Sequence, residues 1–201
     1  MNNRIRGNIK NTVMKSIDQG SPHSIFFISD FTQYGSAETI RKILYEATIT
    51  GLLEKAGHGI YIKPKISRFG YVPVPLETIA RKIAERDKCE ILPTGNTAAN
   101  LIGLSTQVPM NFSYITTGST RTIKIGAREI SFQHASPKNF AGKGSTMPLL
   151  IQGIREIGEK NITGADYEAI KRFIDNQNDP YLQEDLPLAP VWIQRIIKNL
   201  I

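Results

Sequence analysis

The chain has 201 residues, 40% hydrophobic and 21% charged, a balance that supplies a buried core and excludes wholesale disorder. A net charge of +7 suits an anionic partner, nucleic acid first. The single cysteine, Cys89, excludes an internal disulfide, no Cys/His cluster has zinc spacing, and no apolar run approaches the ~20 residues of a membrane span.

The charge is uneven. Residues 1–68 carry 10 Lys/Arg and 5 Asp/Glu, a net +5, and the remaining residues carry 15 and 13, a net +2. A basic N-terminal module joined to a near-neutral body is therefore expected. The opening MNNRIRGNIK is charged with no apolar stretch behind it, unlike a secretory signal, so a cytoplasmic location is expected.

Ile5, Ile9, Val13 and Ile17 recur four apart and predict one apolar helix face, with Arg4, Arg6, Lys10 and Lys15 elsewhere on its surface. Gly20-Ser21-Pro22 breaks that helix, SIFFI (24–28) reads as a short strand, and Ser29 is placed as the cap of a short helix over DFTQY, ended by Gly35. Ser36 caps the next helix, to about Thr50, with Ile40, Leu44 and Ala47 inward, Ile43 flanking and Gly51 at its stop.

GLLEKAGHGIYIKP (51–64) then predicts a β-hairpin, with Leu52 and Leu53 in one arm, Ile60 and Ile62 in the other, and Gly57-His58-Gly59 at the tip. Helix, strand, short helix, turn, helix and hairpin is the order of a winged helix-turn-helix. In that plan the second helix of the turn motif enters the major groove of DNA. Its outward positions are Ser36, Ala37, Thr39, Arg41 and Lys42, with Tyr45 one turn on; His58 at the tip and Tyr61, Lys63, Lys65 and Arg68 beyond it add donors for phosphates. The bland reading is a solvated basic face, and many such modules bind protein instead.

FGYVPVP (69–75) reads as a linker, which puts the boundary between a 1–68 DNA-binding domain and a 69–201 mixed α+β domain. An amphipathic helix over 76–88, a strand at CEILP and a small-residue helix over 94–104 follow. FSYITTGS, TRTIKIG and REISFQHA (112–135) alternate as strands of a meander or hairpin pair, and three helical stretches complete the chain, the second capped by Thr163 or Asp166. The fold class expected is α+β with a helical C-terminus.

Gly-Ile-Tyr-x-x-Pro at 59–64, Leu-x-Gly-Leu at 101–104 and the threonine-rich strand, Arg, strand, Gly run after it resemble the AbiEi family of type IV toxin–antitoxin antitoxins, over roughly residues 4–140. The resemblance implies an antitoxin that represses its own operon through the winged helix. It implies operator DNA as one partner and a cognate nucleotidyltransferase-like toxin, counteracted by the C-terminal domain without a stable complex, as the other. A protein-interaction module, or a solitary regulator without a toxin, is the alternative.

Catalytic motifs fail on spacing. AGKGST (141–146) places Gly144 after Lys143 where a phosphate loop needs Ser/Thr, so it reads as a flexible basic loop. His23, His58 and His134 lack metal spacing, and Glu184-Asp185 falls in a polar, proline-containing connector with Tyr181 and Trp192 nearby. No enzyme activity, cofactor or metal is expected, and Trp192 is expected to anchor the last helix in the core.

Overall fold

A computed structural model describes residues 2–201, with side chains from Gly7 onward; the side chains of Arg4, Ile5 and Arg6 lie outside the described residues. The chain is mixed α+β and divides into two compact units, Met1–Lys82 with Ile123–Ala127, and Ile83–Thr122 with Arg128–Ile201. The 68/69 boundary drawn from sequence falls in the turn of a two-stranded sheet within the first unit.

The first unit opens with α1 (Asn2–Gln19), β1 (Ile25–Phe27), a 3-10 turn (Ile28–Phe31) and α2 (Ala37–Ile49). Val13 and Ile17 of α1 and Ile40, Ile43, Leu44 and Ala47 of α2 are at most 1% exposed and share one core with Phe31, Leu53 and Tyr61. The four-residue spacing of apolar side chains therefore does what helical geometry requires. Lys10 pairs with Glu46 at 2.7 Å, tying the solvent edges of the two helices. The cap of the 3-10 turn is not Ser29: Asp30 turns back and accepts from the backbone N–H of Phe27 at 2.8 Å, which starts the turn two residues earlier than expected.

β2 (Glu54–Gly57) and β3 (Ile60–Ile62) form the expected hairpin, and β1 adds on the far side of β3 to give an antiparallel sheet ordered β1-β3-β2. Leu52 and Leu53 are not in the first arm. Leu53 is buried under the helices, and its N–H closes the end of α2 on the carbonyl of Ala47. The register of β2 shifts between Lys55 and Gly57, so Ala56 is an extra, bulged residue. Gly59 holds φ +70° in the tip, a conformation that glycine adopts without strain.

FGYVPVP is not a linker. Gly70–Val72 form β5, antiparallel to β4 (Lys65–Ser67), and His23 Nε2 sits 2.9 Å from the carbonyl oxygen of Val72, which fixes this small sheet at its base. α3 (Leu76–Asp87) follows, with Leu76, Ile79 and Ile83 buried.

The second unit contains β6 (Ile91–Pro93), α4 (Gly95–Leu101), β7 (Phe112–Thr116), β8 (Arg121–Ile125, shared with the first unit) and β9 (Arg128–His134). The sheet order is β6-β7-β9-β8, with β7 and β9 parallel and Phe112 opposite Ile130. Of the expected meander or hairpin pair, the meander is corrected: β7 passes over its sequence neighbour and pairs with the strand after it, while β8 and β9 are neighbours in the sheet. Tyr114 and Phe132, adjacent in that parallel register, stack with ring centroids 5.8 Å apart.

α5 (Thr146–Ile157), α6 (Gly164–Gln177), the short α7 (Leu182–Asp185) and α8 (Val191–Lys198) pack a second core around Met147, Leu150, Ile154, Ile170, Ile193 and Ile197. Trp192 packs against this core as expected. Thr163 and Asp166 cap α6 together, the Thr163 N–H donating to Asp166 at 2.8 Å. Gly153 lets α5 approach α4, because a Cβ there would fall 2.3 Å from Ile102 Cδ1 and 3.2 Å from the Ala98 carbonyl oxygen.

Candidate functional site

In the first unit, the outer face of α2 and the tip of the β2–β3 hairpin enclose a groove of about 240 Å³. Arg41, Lys42 and Tyr45 line it from the helix, and Lys55, His58 and Tyr61 from the hairpin, with Ile28 and Gly59 completing the wall. The helix supplies its residues because Arg41, Lys42 and Tyr45 lie one to four positions apart on the side opposite Ile40 and Leu44. The hairpin supplies Lys55 and Tyr61 because they are directly paired across the strands and so share a face.

Electrostatically the groove is a donor surface. Among the described residues, no acid lines it. Lys42 is paired at 2.7 Å with Glu38 one turn back. The hydrogen bond from Lys42 is the main reason the Glu38 carboxyl sits below its ordinary range. Arg41 and Lys55 form no ion pair among the described residues. Burial pushes the Tyr61 phenol up, partly offset by the guanidinium of Arg41 beside it. The arrangement suits an anion that can run along a ridge between helix and hairpin.

Of the eleven positions singled out from sequence, Arg41, Lys42, Tyr45, His58 and Tyr61 meet in this groove, and the other six, Ala37 and Arg68 included, do not line it. Tyr61 is corrected in role: it is 3% exposed and forms a wall, not an outward donor. Ser36 and Thr39 do not line the groove. Ser36 Oγ accepts from the Thr39 N–H at 3.3 Å and lies 3.0 Å from its hydroxyl, so both hydroxyls serve the helix cap. Lys63 is also corrected: its Nζ donates to the carbonyls of Ile17 at 3.3 Å and Asp18 at 2.5 Å, completing the C-terminus of α1. Lys65 is exposed on β4, away from the groove lining. Lys55 escaped the sequence reading; its place two residues before the tip, opposite Tyr61, is the signal that alternation across a hairpin would give.

The AGKGST loop is neither flexible nor open. Asp185 accepts from the N–H groups of Lys143 at 3.0 Å and Gly144 at 2.8 Å, and Asp179 accepts from those of Thr146 at 3.1 Å and Tyr181 at 2.9 Å. Burial raises the Asp179 carboxyl, but the hydroxyl of Thr146 and the two amides outweigh it and hold the group below the ordinary carboxylate range. Lys143 pairs with Glu184. The amides a phosphate would need already hold the protein's own carboxylates. Glu184-Asp185 is correspondingly not a solvated connector: it lies in α7, and Asp185 is 3% exposed.

The histidines stay apart in their roles. His134 Nδ1 lies 2.8 Å from the Gly118 carbonyl oxygen, His23 holds β5, and among the described residues no group of three His, Cys, Asp or Glu could hold a metal. No described helix is long and apolar enough to cross a membrane.

Comparison with curated proteins returned no match. A family model spans residues 9–182, covering α1 from Ile9 onward, the groove and the second core as far as α7, and the chain belongs to that family, DUF6088, a family of unknown function.

Proposed function

We propose that the chain is a DNA-binding autorepressor and antitoxin of a type IV toxin–antitoxin operon. In this reading the first unit is a winged helix-turn-helix, α2 enters the major groove of operator DNA and the β2–β3 hairpin is the wing. The observation that carries it is the convergence of Arg41, Lys42, Lys55 and His58 on one acid-free groove between helix and hairpin tip. Neutralisation of DNA phosphates asks for such a donor ridge. Arg41 and Lys42 stand in the first half of α2, the half that reaches base edges in this class of module. The antitoxin part rests on the AbiEi resemblance of residues 59–64 and 101–126, and it assigns neutralisation of a nucleotidyltransferase-like toxin to the C-terminal region. No catalytic role is assigned to any residue.

The test is binding of the purified chain to DNA from directly upstream of its own gene, against unrelated DNA of equal length, at two salt concentrations. Site-preferring, salt-sensitive binding supports the reading. Absent or sequence-indifferent binding overturns it.

One observation favours a protein partner instead. On the β4–β5 sheet Ile66 is 79% exposed and Phe69 85% exposed, with the guanidinium of Arg68 4.6 Å from the Phe69 ring centroid. An apolar tip of this kind suits a protein surface. A stable co-purifying complex lost on Phe69→Ser, with no salt-dependent DNA affinity, would select that reading.

A further inference from the structure

The second unit holds a larger cavity that the DNA-binding reading does not use. Its volume is about 390 Å³, and it lies between the 3-10 turn Pro137–Phe140, one face of α5, and the segment entering α8. That size is within the range of sites for small organic ligands and far beyond the ~30 Å³ share of one water.

Its polar groups are specific. Lys138 and Arg155 stand at the cavity, neither forms an ion pair among the described residues, and no acid is among its lining residues. Gln152 lines it while only 8% exposed. The Gln152 Oε1 accepts from the Thr94 hydroxyl at 2.9 Å, which orients the amide. Its Nε2 has no partner among the described residues and is left as a donor. Asn139 is oriented the opposite way: its Nδ2 donates to Ser136 at 3.0 Å and 3.2 Å, leaving Oδ1 as an acceptor. The remaining wall is apolar, with Pro148, Ile151 and Pro190.

We propose that this cavity binds a small organic anion: a carboxylate or phosphate group held by Lys138 and Arg155, carried on a largely apolar body that accepts a hydrogen bond from Gln152 Nε2. Two cations alone would suit a bare ion, but a bare ion leaves the apolar wall and the Gln152 donor unused. The proposal does not depend on the α2 groove.

The experiment is ligand-detected NMR and calorimetric titration of the full chain with four probes: salicylate for the carboxylate, adenosine monophosphate for the phosphate, and adenosine and inorganic phosphate as the two halves. Saturable one-to-one binding of salicylate or adenosine monophosphate is expected, with each half of the nucleotide at least about tenfold weaker. Whichever of the two wins names the acidic group. Lys138→Ala and Arg155→Ala should each weaken binding about tenfold at unchanged melting temperature, Arg155→Lys should retain most of it, and Arg41→Ala/Lys55→Ala should leave it intact. No saturation by either anion in the millimolar range overturns the proposal. So does binding that survives both cavity substitutions, is lost with the α2 groove pair, or is matched by inorganic phosphate alone.

Discussion

Removing Arg41 and Lys55 together gives the sharpest test of the groove, because both form no ion pair among the described residues and face the same concavity from different elements. If Arg41, Lys42 and Lys55 each neutralise one phosphate, the logarithm of affinity falls with the logarithm of salt at about −0.9 per contact, or about −2.7 in all. Raising salt from about 50 to about 200 mM should then weaken operator binding roughly 40-fold for each chain bound. In Arg41→Ala/Lys55→Ala the slope should drop to about −0.9 and the same change of salt should cost only about 3.5-fold. Lys42 already lies 2.7 Å from Glu38, so a slope of about −0.9 is the most it can leave behind. The fold should not suffer: exposed substitutions of this kind change stability by about 0.5 kcal/mol or less. Fluorescence anisotropy with upstream DNA across a salt series measures the slope, and thermal melting checks the fold. An unchanged slope in the folded double variant would refute the idea that this groove meets phosphate.

Other outcomes follow from the packing. Asp185→Asn keeps one acceptor for the loop but turns an amide NH₂ toward a backbone N–H, so it should destabilise by about 2–3 kcal/mol in urea unfolding; a change below about 0.5 kcal/mol would mean that Asp185 does not hold the loop. Gly153→Ala gains about 1 kcal/mol of helix propensity but meets Ile102 and the Ala98 carbonyl, with overpacking of about 1–3 kcal/mol. It should be destabilising in the wild type and nearly neutral beside Ile102→Val, a coupling that a double-mutant cycle reads directly. Lys63→Met should cost about 1 kcal/mol by freeing the last carbonyls of α1, with DNA affinity unchanged; a selective loss of DNA affinity would return Lys63 to the binding surface. Asp179 is held below its unfolded value near 3.8, so its contribution to stability is full above that value and is lost as pH falls through the lower folded one. An acid limb below about pH 4 should flatten in Asp179→Asn, and an identical limb in both proteins would refute that share.

The helices were readable because their cores repeat locally: Val13 and Ile17, or Ile40, Leu44 and Ala47, fall on one face whatever lies opposite. The hairpin was readable from its glycines, and Arg41, Lys42, Tyr45 and His58 from their position outside those faces. What sequence alone misplaced depends on distant partners. Tyr61 and Lys63 look like donors on a returning strand, but the first meets the helical core and the second meets the end of α1, 45 residues away. The parallel pairing of β7 with β9 leaves no local mark, since β8 carries the same alternation. Asp185 reads as one of several acids in a polar stretch until Lys143 and Gly144 arrive from 42 and 41 residues upstream. The nine-residue lining of the α5 cavity is assembled from three separate stretches, and no spacing rule joins them.

The bulge at Ala56 bears on how this hairpin can change length. Because Ala56 is the unpaired extra residue, deleting it alone would restore a regular ladder and leave the pairs Lys55–Tyr61 and Gly57–Ile60 in register. The tip would keep its two-residue His58-Gly59 connection, with glycine still at the φ of +70°. A single-residue deletion is thus absorbed at Ala56, whereas the same deletion at a paired position would turn the neighbouring side chains to the other face. Hairpin length among family members should therefore be free to differ by one residue at the bulge.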